Sequence, residues 1–190
     1  MVAPTPLPPG AYRLGLLTAS RSIGLLGAGA VLLADGLGLS RSRSRPVAGL
    51  FDELAHLGTG LVVLAAWPGG RAYEKGLLAG SILLDVDHVP ELVGVGHLRT
   101  SGLRPFPHSA ATVSALALAR HSRRLRHGPR DALAGGIAGV VAHLVRDLAT
   151  GTNAVPLLWP LSRRPVTIRY RTYAAALAAV AGAGAAPRRP

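Results

Sequence analysis

The residues best suited to chemistry are a histidine and an aspartate near the end of an apolar stretch. His143 and Asp147 stand four positions apart and share one helical face. Residues 132–141 before them are all Ala, Gly, Leu, Ile or Val. Burying such a pair costs several kcal/mol unless something compensates, and imidazole and carboxylate are both ligands for zinc or a similar ion. For this pair alone, a metal site and a structural hydrogen bond both remain open.

A second pair with the same spacing lies in the apolar segment 47–67. Asp52 and His56 share a helical face there, and Glu53 stands beside them. An apolar helix does not need these three ionisable residues. The alternative is a helix start whose two carboxylates face water.

Three ionisable residues close the apolar stretch 76–91, which ends near Pro90. Asp85 and His88 are three positions apart and can converge on one ion, whereas Asp87 could orient a ligand or bridge to a second ion. A water-facing, Asp-rich helix end is disfavoured because carboxylates at a helix C-terminus oppose the helix dipole.

A fourth candidate, His108, stands where a loop ends and a helix is expected to start. Pro107 disfavours helix before it, and Ser109 is a suitable N-cap. Arg104 lies four residues ahead and could hold a phosphate beside a metal ligand. The alternative is an exposed loop histidine. Three further histidines are predicted to face solvent: His97, His121 and His127.

The composition favours a helical membrane protein. The chain has 190 residues, 49% hydrophobic and 16% charged, with 24 glycines and a mean hydropathy of +0.34. Its net charge of +12 comes mainly from arginines clustered between apolar runs, which favours contact with membrane lipid over nucleic acid. With no cysteine, disulfides and thiolate metal sites are excluded.

The predicted fold is all-α: a helical integral membrane bundle with a metal site between helices. Residues 1–13 are expected to be a disordered, Pro-rich lead, 14–186 a single membrane domain with its functional core at about 47–162, and 187–190 a basic tail. A final helix is expected over 173–186, and no cleavable signal peptide is recognised. We expect a multi-pass protein of the inner membrane with three to five spans and with basic loops 41–45 and 120–130 both cytoplasmic.

Taken together, the polar residues come from four separate hydrophobic segments, which makes a shared site the better interpretation. Histidine and carboxylate ligands without sulfur indicate zinc, or else manganese, iron or magnesium. Such an ion activates water and polarises a phosphoryl or acyl oxygen, so the expected chemistry is hydrolysis.

Several of these motifs resemble the membrane-bound metal-dependent hydrolase family (YdjM-like). The resemblance covers roughly residues 50–162. It rests on DELAHL at 52–57, LLDVDH at 83–88, R-x-x-x-H-S from Arg104 to Ser109, and H-x-x-x-D-x-x-T-G from His143 to Gly151. Pro107 and Leu84 depart from the family pattern, which usually has Thr and often Pro at these places. The resemblance implies a helical fold distantly similar to zinc-dependent phospholipase C.

Carried onto this chain, the resemblance implies a set of roles. The implied metal ligands are His56, Asp85, His88, His108, His143 and Asp147. Asp52 and Asp87 would orient ligands, bridge, or act as general base towards a metal-activated water. Arg104 would meet an anionic substrate, for which a phosphoester or lipid-like molecule is expected.

Two alternatives stand beside this interpretation. A lipid phosphatase of the phosphohistidine type expects a Ser-Arg pair ahead of its histidine, where this chain has Gly136 and Ile137. The other alternative is a non-catalytic membrane protein in which a structural metal or a polar network holds the bundle together.

Overall fold

A computed structural model describes residues 9–38, 45–88, 107–150 and 155–183, with side chains for 22–37, 47–86, 107–150 and 155–183. Over these ranges the chain forms six α-helices and no strand apart from one isolated bridge, Val155 to Val166. The helices are α1 (Pro9–Gly38), α2 (Arg45–Ala66), α3 (Arg71–Ile82), α4 (Ala110–Arg120), α5 (His127–Thr150) and α6 (Tyr170–Ala183). A 3₁₀ helix, Leu83–His88, continues α3. The predicted all-α fold is confirmed.

Small residues let α3 and α5 approach until their backbones touch. A Cβ added at Gly76 would overlap the carbonyl of Ala132, and one added at Gly80 would overlap the carbonyl of Gly136. This four-residue spacing of small residues is typical of helix packing inside membranes, where close van der Waals contact replaces the hydrophobic effect. Because Gly76 of α3 faces Ala132 of α5, and Gly80 faces Gly136, the two helices run parallel.

The other helix directions follow from similar contacts. Gly24 of α1 faces Ala65 of α2, and Gly27 faces Gly58, so α1 and α2 run antiparallel. Gly60 of α2 faces Ser81 at the end of α3, and His56, one turn earlier, lies beside Asp85, one turn later, so that pair is also antiparallel. Consequently the start of α2 and the ends of α3 and α5 lie at one end of the bundle, which we call the site end.

Two helices are long and apolar enough to cross a membrane, over Val47–Ala66 and His127–Thr150. Shorter apolar helices lie at Ser22–Leu37 and Ala110–Arg120. One face of α1 leaves large apolar side chains uncovered, including Leu26 and Leu33, which are 71% and 64% exposed. An apolar face of this kind suits contact with lipid rather than water.

The structure corrects three predicted boundaries. Helix α1 begins at Pro9, so residues 9–13 of the predicted lead are helical, because a proline is tolerated in a first helical turn whose N–H groups lack partners. Helix α5 begins at His127, inside the predicted basic loop 120–130, and Pro129 again stands in the first turn. Helix α6 begins at Tyr170 rather than at residue 173.

The helices that follow the two predicted basic loops begin at opposite ends of the bundle. Since α2 is antiparallel to α3, and α3 is parallel to α5, helices α2 and α5 begin at opposite ends. Helix α2 begins at the site end and α5 at the other, whereas residues 41–44 lie outside the described residues. The cytoplasmic placement of loops 41–45 and 120–130 stays a prediction.

Candidate metal centre

His143 provides the strongest indication of a metal site. Its side chain is fully buried, and its Nδ1 donates a 2.9 Å hydrogen bond to the backbone carbonyl of Ser81. A proton therefore sits on Nδ1, and in the neutral ring Nε2 carries a lone pair. That Nε2 has no hydrogen-bond partner among the described residues, yet it lies 3.3 Å from Asp147 Oδ2 and 3.6 Å from Asp85 Oδ1. An acceptor facing two carboxylate oxygens requires a proton or a metal ion between them.

His108 approaches the same two oxygens from another direction. Its Nε2 lies 3.1 Å from Asp85 Oδ1 and 3.7 Å from Asp147 Oδ2, and the side chain is fully buried. Two ligand atoms that share one ion at about 2.1 Å lie roughly 3.0–3.4 Å apart in octahedral or tetrahedral geometry. The four nitrogen–oxygen distances lie in or close to this range, and Asp85, His108 and His143 form one group that could hold a metal ion.

His56 faces the other oxygens of the same carboxylates. Its Nε2 lies 3.5 Å from Asp85 Oδ2 and 3.4 Å from Asp147 Oδ1. Its ring stacks on that of His143 with centroids 3.7 Å apart. The structure thus brings together five of the six predicted ligands, in overlapping groups that could hold a metal ion. They are His56, Asp85, His108, His143 and Asp147.

The local structure explains how three of the ligand-bearing segments reach one place. His143 and Asp147 are one turn apart on α5, whereas Asp85 lies in the 3₁₀ helix that extends α3 towards the site end. His108 precedes the first turn of α4, which is anchored because the N–H of Ala110 donates a 2.8 Å hydrogen bond to the carbonyl of Leu157. All these elements end or begin at the site end.

Sequence reasoning missed Arg146, which lies at the middle of the polar cluster. Its side chain is 3% exposed. It donates from Nη2 to Asp35 Oδ1 at 2.6 Å, from Nη1 to Asp52 Oδ1, and from Nη1 to His56 Nε2 at 3.1 Å. The available signal was that Asp35 and Arg146 are opposite charges, each placed within an apolar segment.

Asp52 contacts Arg146 in addition to the predicted neighbour His56. It forms an ion pair with Arg146 and lies 3.9 Å from His56 Nε2, and its side chain is 34% exposed. Of the described cluster it is the carboxylate most open to solvent. Its carboxylate holds the arginine that contacts His56, which agrees with a role in orienting a ligand better than with a free general base.

A polar network extends from this arginine to α6. The hydroxyl of Tyr170 donates a 2.8 Å hydrogen bond to Asp35 Oδ2. Beside it, the hydroxyl of Tyr173 hydrogen-bonds to Thr59 Oγ1 at 2.7 Å. Burial raises the pKa of Tyr173 to about 12, so this phenol stays protonated at physiological pH. The network joins α1, α2, α5 and α6 without any metal.

The structure does not describe the side chains of four of the remaining predicted residues, and two others are exposed. The side chains of Asp87 and His88, and the whole of His97 and Arg104, lie outside the described residues. Their roles stay predictions. His121 and His127 are exposed, as expected.

Fold and centre together define a helical membrane protein with a buried histidine–aspartate cluster. The model of the family described as YdjM inner membrane protein matches residues 52–189, and the chain belongs to this family. Helix α1, which supplies Asp35, lies before the matched region.

The chain is similar to the inner membrane protein YdjM of Escherichia coli strain K12 and of Shigella flexneri. Each is 36% identical over 89 residues, which is 42% of this chain and 44% of the relative. The chain thus spans less than half the length of these curated relatives. No solved structure matches it. The predicted multi-pass location in the inner membrane is confirmed by the family and the apolar helices. Neither the family description nor the relatives' names mention a metal or hydrolysis.

Proposed function

We propose that this chain is a membrane-bound, metal-dependent hydrolase that acts on a phosphoester or lipid-like substrate. The observation that carries the proposal is the buried Nε2 lone pair of His143, which faces oxygens of Asp85 and Asp147. Ordinary packing does not bury two carboxylates around one unprotonated imidazole nitrogen, because the negative charges repel and the nitrogen lone pair lacks a donor. A divalent cation removes both problems.

The donor set fits such an ion. His108 and His143 would supply nitrogen, Asp85 and Asp147 would supply oxygen, and His56 stands beside them. Nitrogen and oxygen donors without sulfur suit zinc, with manganese, iron or magnesium as alternatives. An ion held there supplies the Lewis acidity that activates water and polarises a phosphoryl or acyl oxygen.

The chain's own residues have separate tasks in this proposal. The carbonyl of Ser81 fixes the ring and tautomer of His143. Asp87 is the proposed general base, since Asp52 is engaged with Arg146. Arg104 is the proposed contact for an anionic substrate.

An apolar groove beside the centre supports a lipid-like substrate. It has a volume of about 440 Å³, lies between α3, α4 and α5, and is lined by residues that include Leu84, Thr112 and Leu116. Leu84 directly precedes Asp85 in the chain, and Thr112 follows His108 by one turn. An acyl chain in the groove would therefore place its head group near the metal centre.

The first test is the metal content of detergent-purified protein by elemental mass spectrometry. We expect near-stoichiometric zinc or manganese, lost in the His143→Ala, Asp147→Ala double variant and retained in the exposed control His121→Ala. A phosphoester panel, including phospholipids in mixed micelles, then tests turnover. Protein that stays metal-free after incubation with excess ion would overturn the proposal.

A non-catalytic role remains the second candidate, favoured by the network of Arg146, Asp35, Asp52 and Tyr170, which ties four helices together without an ion. Replacement of Asp87 by alanine separates the two. As a base, Asp87 is needed for turnover but not for metal binding or folding. If Asp87→Ala loses turnover but keeps the metal content and melting temperature of the wild type, the enzyme is supported. If the wild type binds metal but turns over no substrate in the panel, the structural role is supported.

A further inference from the structure

Asp85 and Asp147 each present one oxygen to either side of the cluster. On one side, Asp85 Oδ1 and Asp147 Oδ2 face His108 and His143. On the other, Asp85 Oδ2 and Asp147 Oδ1 face His56 at 3.5 and 3.4 Å. Two carboxylates that split their oxygens in this way are suited to bridge two cations, as they do in centres with two metal ions.

A cationic side chain already contacts the His56 side. Arg146 Nη1 donates to His56 Nε2 at 3.1 Å, which uses the lone pair that a second ion would need. The same guanidinium is held by Asp52 and Asp35. Arginine keeps its proton in any folded protein, so this positive charge is permanent.

We propose that Arg146 is the built-in second cation of the centre, which therefore takes a single divalent ion. This rests on the proposed function and refines it: the ion is held by His108, His143, Asp85 and Asp147, whereas His56 accepts from Arg146 and stacks on the ring of His143. In charge, Asp85 and Asp147 together balance one divalent ion, while Arg146 is more than neutralised by Asp35 and Asp52.

A fixed guanidinium beside a single ion has a consequence for binding. One of the two positive charges near the carboxylates is covalently attached, so chelators remove only the other. His56 is then a positioning residue, which accepts a hydrogen bond from Arg146 and stacks on the ring of the ligand His143. Its loss should weaken metal binding much less than loss of His108.

The test is the number of ions bound by the full-length protein in detergent, with zinc or manganese as the probe. We expect one ion per chain in the wild type and in His56→Ala, and at least tenfold weaker binding in His108→Ala. Manganese-loaded protein should give the electron paramagnetic resonance spectrum of an isolated ion. Two ions per chain with an exchange-coupled spectrum, or equal loss in His56→Ala and His108→Ala, would overturn this inference while leaving the hydrolase proposal standing. A chain that binds no ion would overturn both.

Variants of Arg146 provide a second test. In Arg146→Gln the His56 lone pair becomes available, so we expect a second, weaker ion to bind, whereas Arg146→Lys should still bind one. A folded Arg146→Gln protein that binds only one ion would contradict the assignment. If this variant does not fold, the wild-type stoichiometry decides.

Discussion

Ser81 and His143 are 62 positions apart, yet the carbonyl of Ser81 accepts a 2.9 Å hydrogen bond from His143 Nδ1. The contact exists because α3 and α5 touch through glycines. Ser81 lies at the end of this glycine-lined seam, one turn before Asp85. The packing that lets helices associate in lipid therefore also sets the tautomer of a candidate metal ligand.

A methyl group in this seam should disturb both packing and metal binding. In Gly139→Ala the added Cβ overlaps the carbonyl of Leu77, so α3 and α5 must separate and Ser81 moves away from His143. We expect about 1–3 kcal/mol of destabilisation, measured by thermal unfolding in detergent, together with weaker zinc binding. Gly29→Ala is the matched control, because nothing lies within 4 Å of a Cβ at Gly29. Equal behaviour of the two variants would contradict the role of the seam.

Loss of the His143 imidazole should abolish tight metal binding without unfolding the bundle. The His143→Ala variant removes one ligand atom but keeps both carboxylates, and we expect zinc affinity to fall by at least about 100-fold, since even outer partners of a ligand are worth about 10–100-fold. Competition titration against a chelator measures this. His121→Ala removes an exposed ring that contacts only the Ala117 carbonyl among the described residues, and should leave the affinity unchanged.

The candidate ligands could be predicted from sequence because their signals are local. A histidine and an aspartate four apart in an apolar run share a helix face whatever the tertiary structure is, as for His143 with Asp147 and for Asp52 with His56. The partner of Arg146 could not be found in this way. Asp35 lies 111 residues away on α1, and its distance from Arg146 depends on how α1 packs against α2.

Helix direction was also beyond local reasoning. The positive-inside rule counts charges in loops and treats each loop alone. The parallel arrangement of α3 and α5 arises from the glycines of both helices, and it places the starts of α2 and α5 at opposite ends. Charge counting alone therefore gives no information on which ends of the bundle α2 and α5 start from.

Neutralising Asp35 should destabilise the chain through the arginine it leaves behind. Asp35→Asn removes one of the two carboxylates that hold the buried Arg146, and breaking a buried pair costs about 3–5 kcal/mol. Tyr170→Phe removes one hydrogen bond to the same carboxylate and should cost about 1 kcal/mol. Denaturant unfolding of both single variants and the double variant checks this. Because both act on Asp35, the double variant should lose less than the two losses combined; strict additivity would contradict the shared network.

Alkaline pH should weaken the fold through Tyr173. Burial raises the pKa of this phenol to about 12, against roughly 10 in an unfolded chain. The folded state therefore favours the protonated phenol: the stability from this group is fully present below about pH 10 and is lost between about pH 10 and 12. Tyr173→Phe should flatten this alkaline decline in the melting temperature, while Tyr73→Phe should not. If the melting temperature of Tyr173→Phe falls with rising pH as steeply as that of the wild type, other groups cause the alkaline loss of stability.

The antiparallel arrangement of α2 and α5 can be tested by labelling, because the chain has no cysteine of its own. Ser122 precedes α5, whereas Ser162 follows it at the site end. If α5 crosses the inner membrane, Ser122→Cys and Ser162→Cys must react with a membrane-impermeant maleimide from opposite sides, one in intact spheroplasts and the other in inverted vesicles. Gly70→Cys, in the turn between α2 and α3, is the internal control and should label from the same side as Ser122→Cys, because the end of α2 and the start of α5 lie at the same end of the bundle. Labelling of Ser122→Cys and Ser162→Cys from one side would contradict a crossing by α5, and the metal centre would then lie in a bundle that rests on the membrane instead of spanning it.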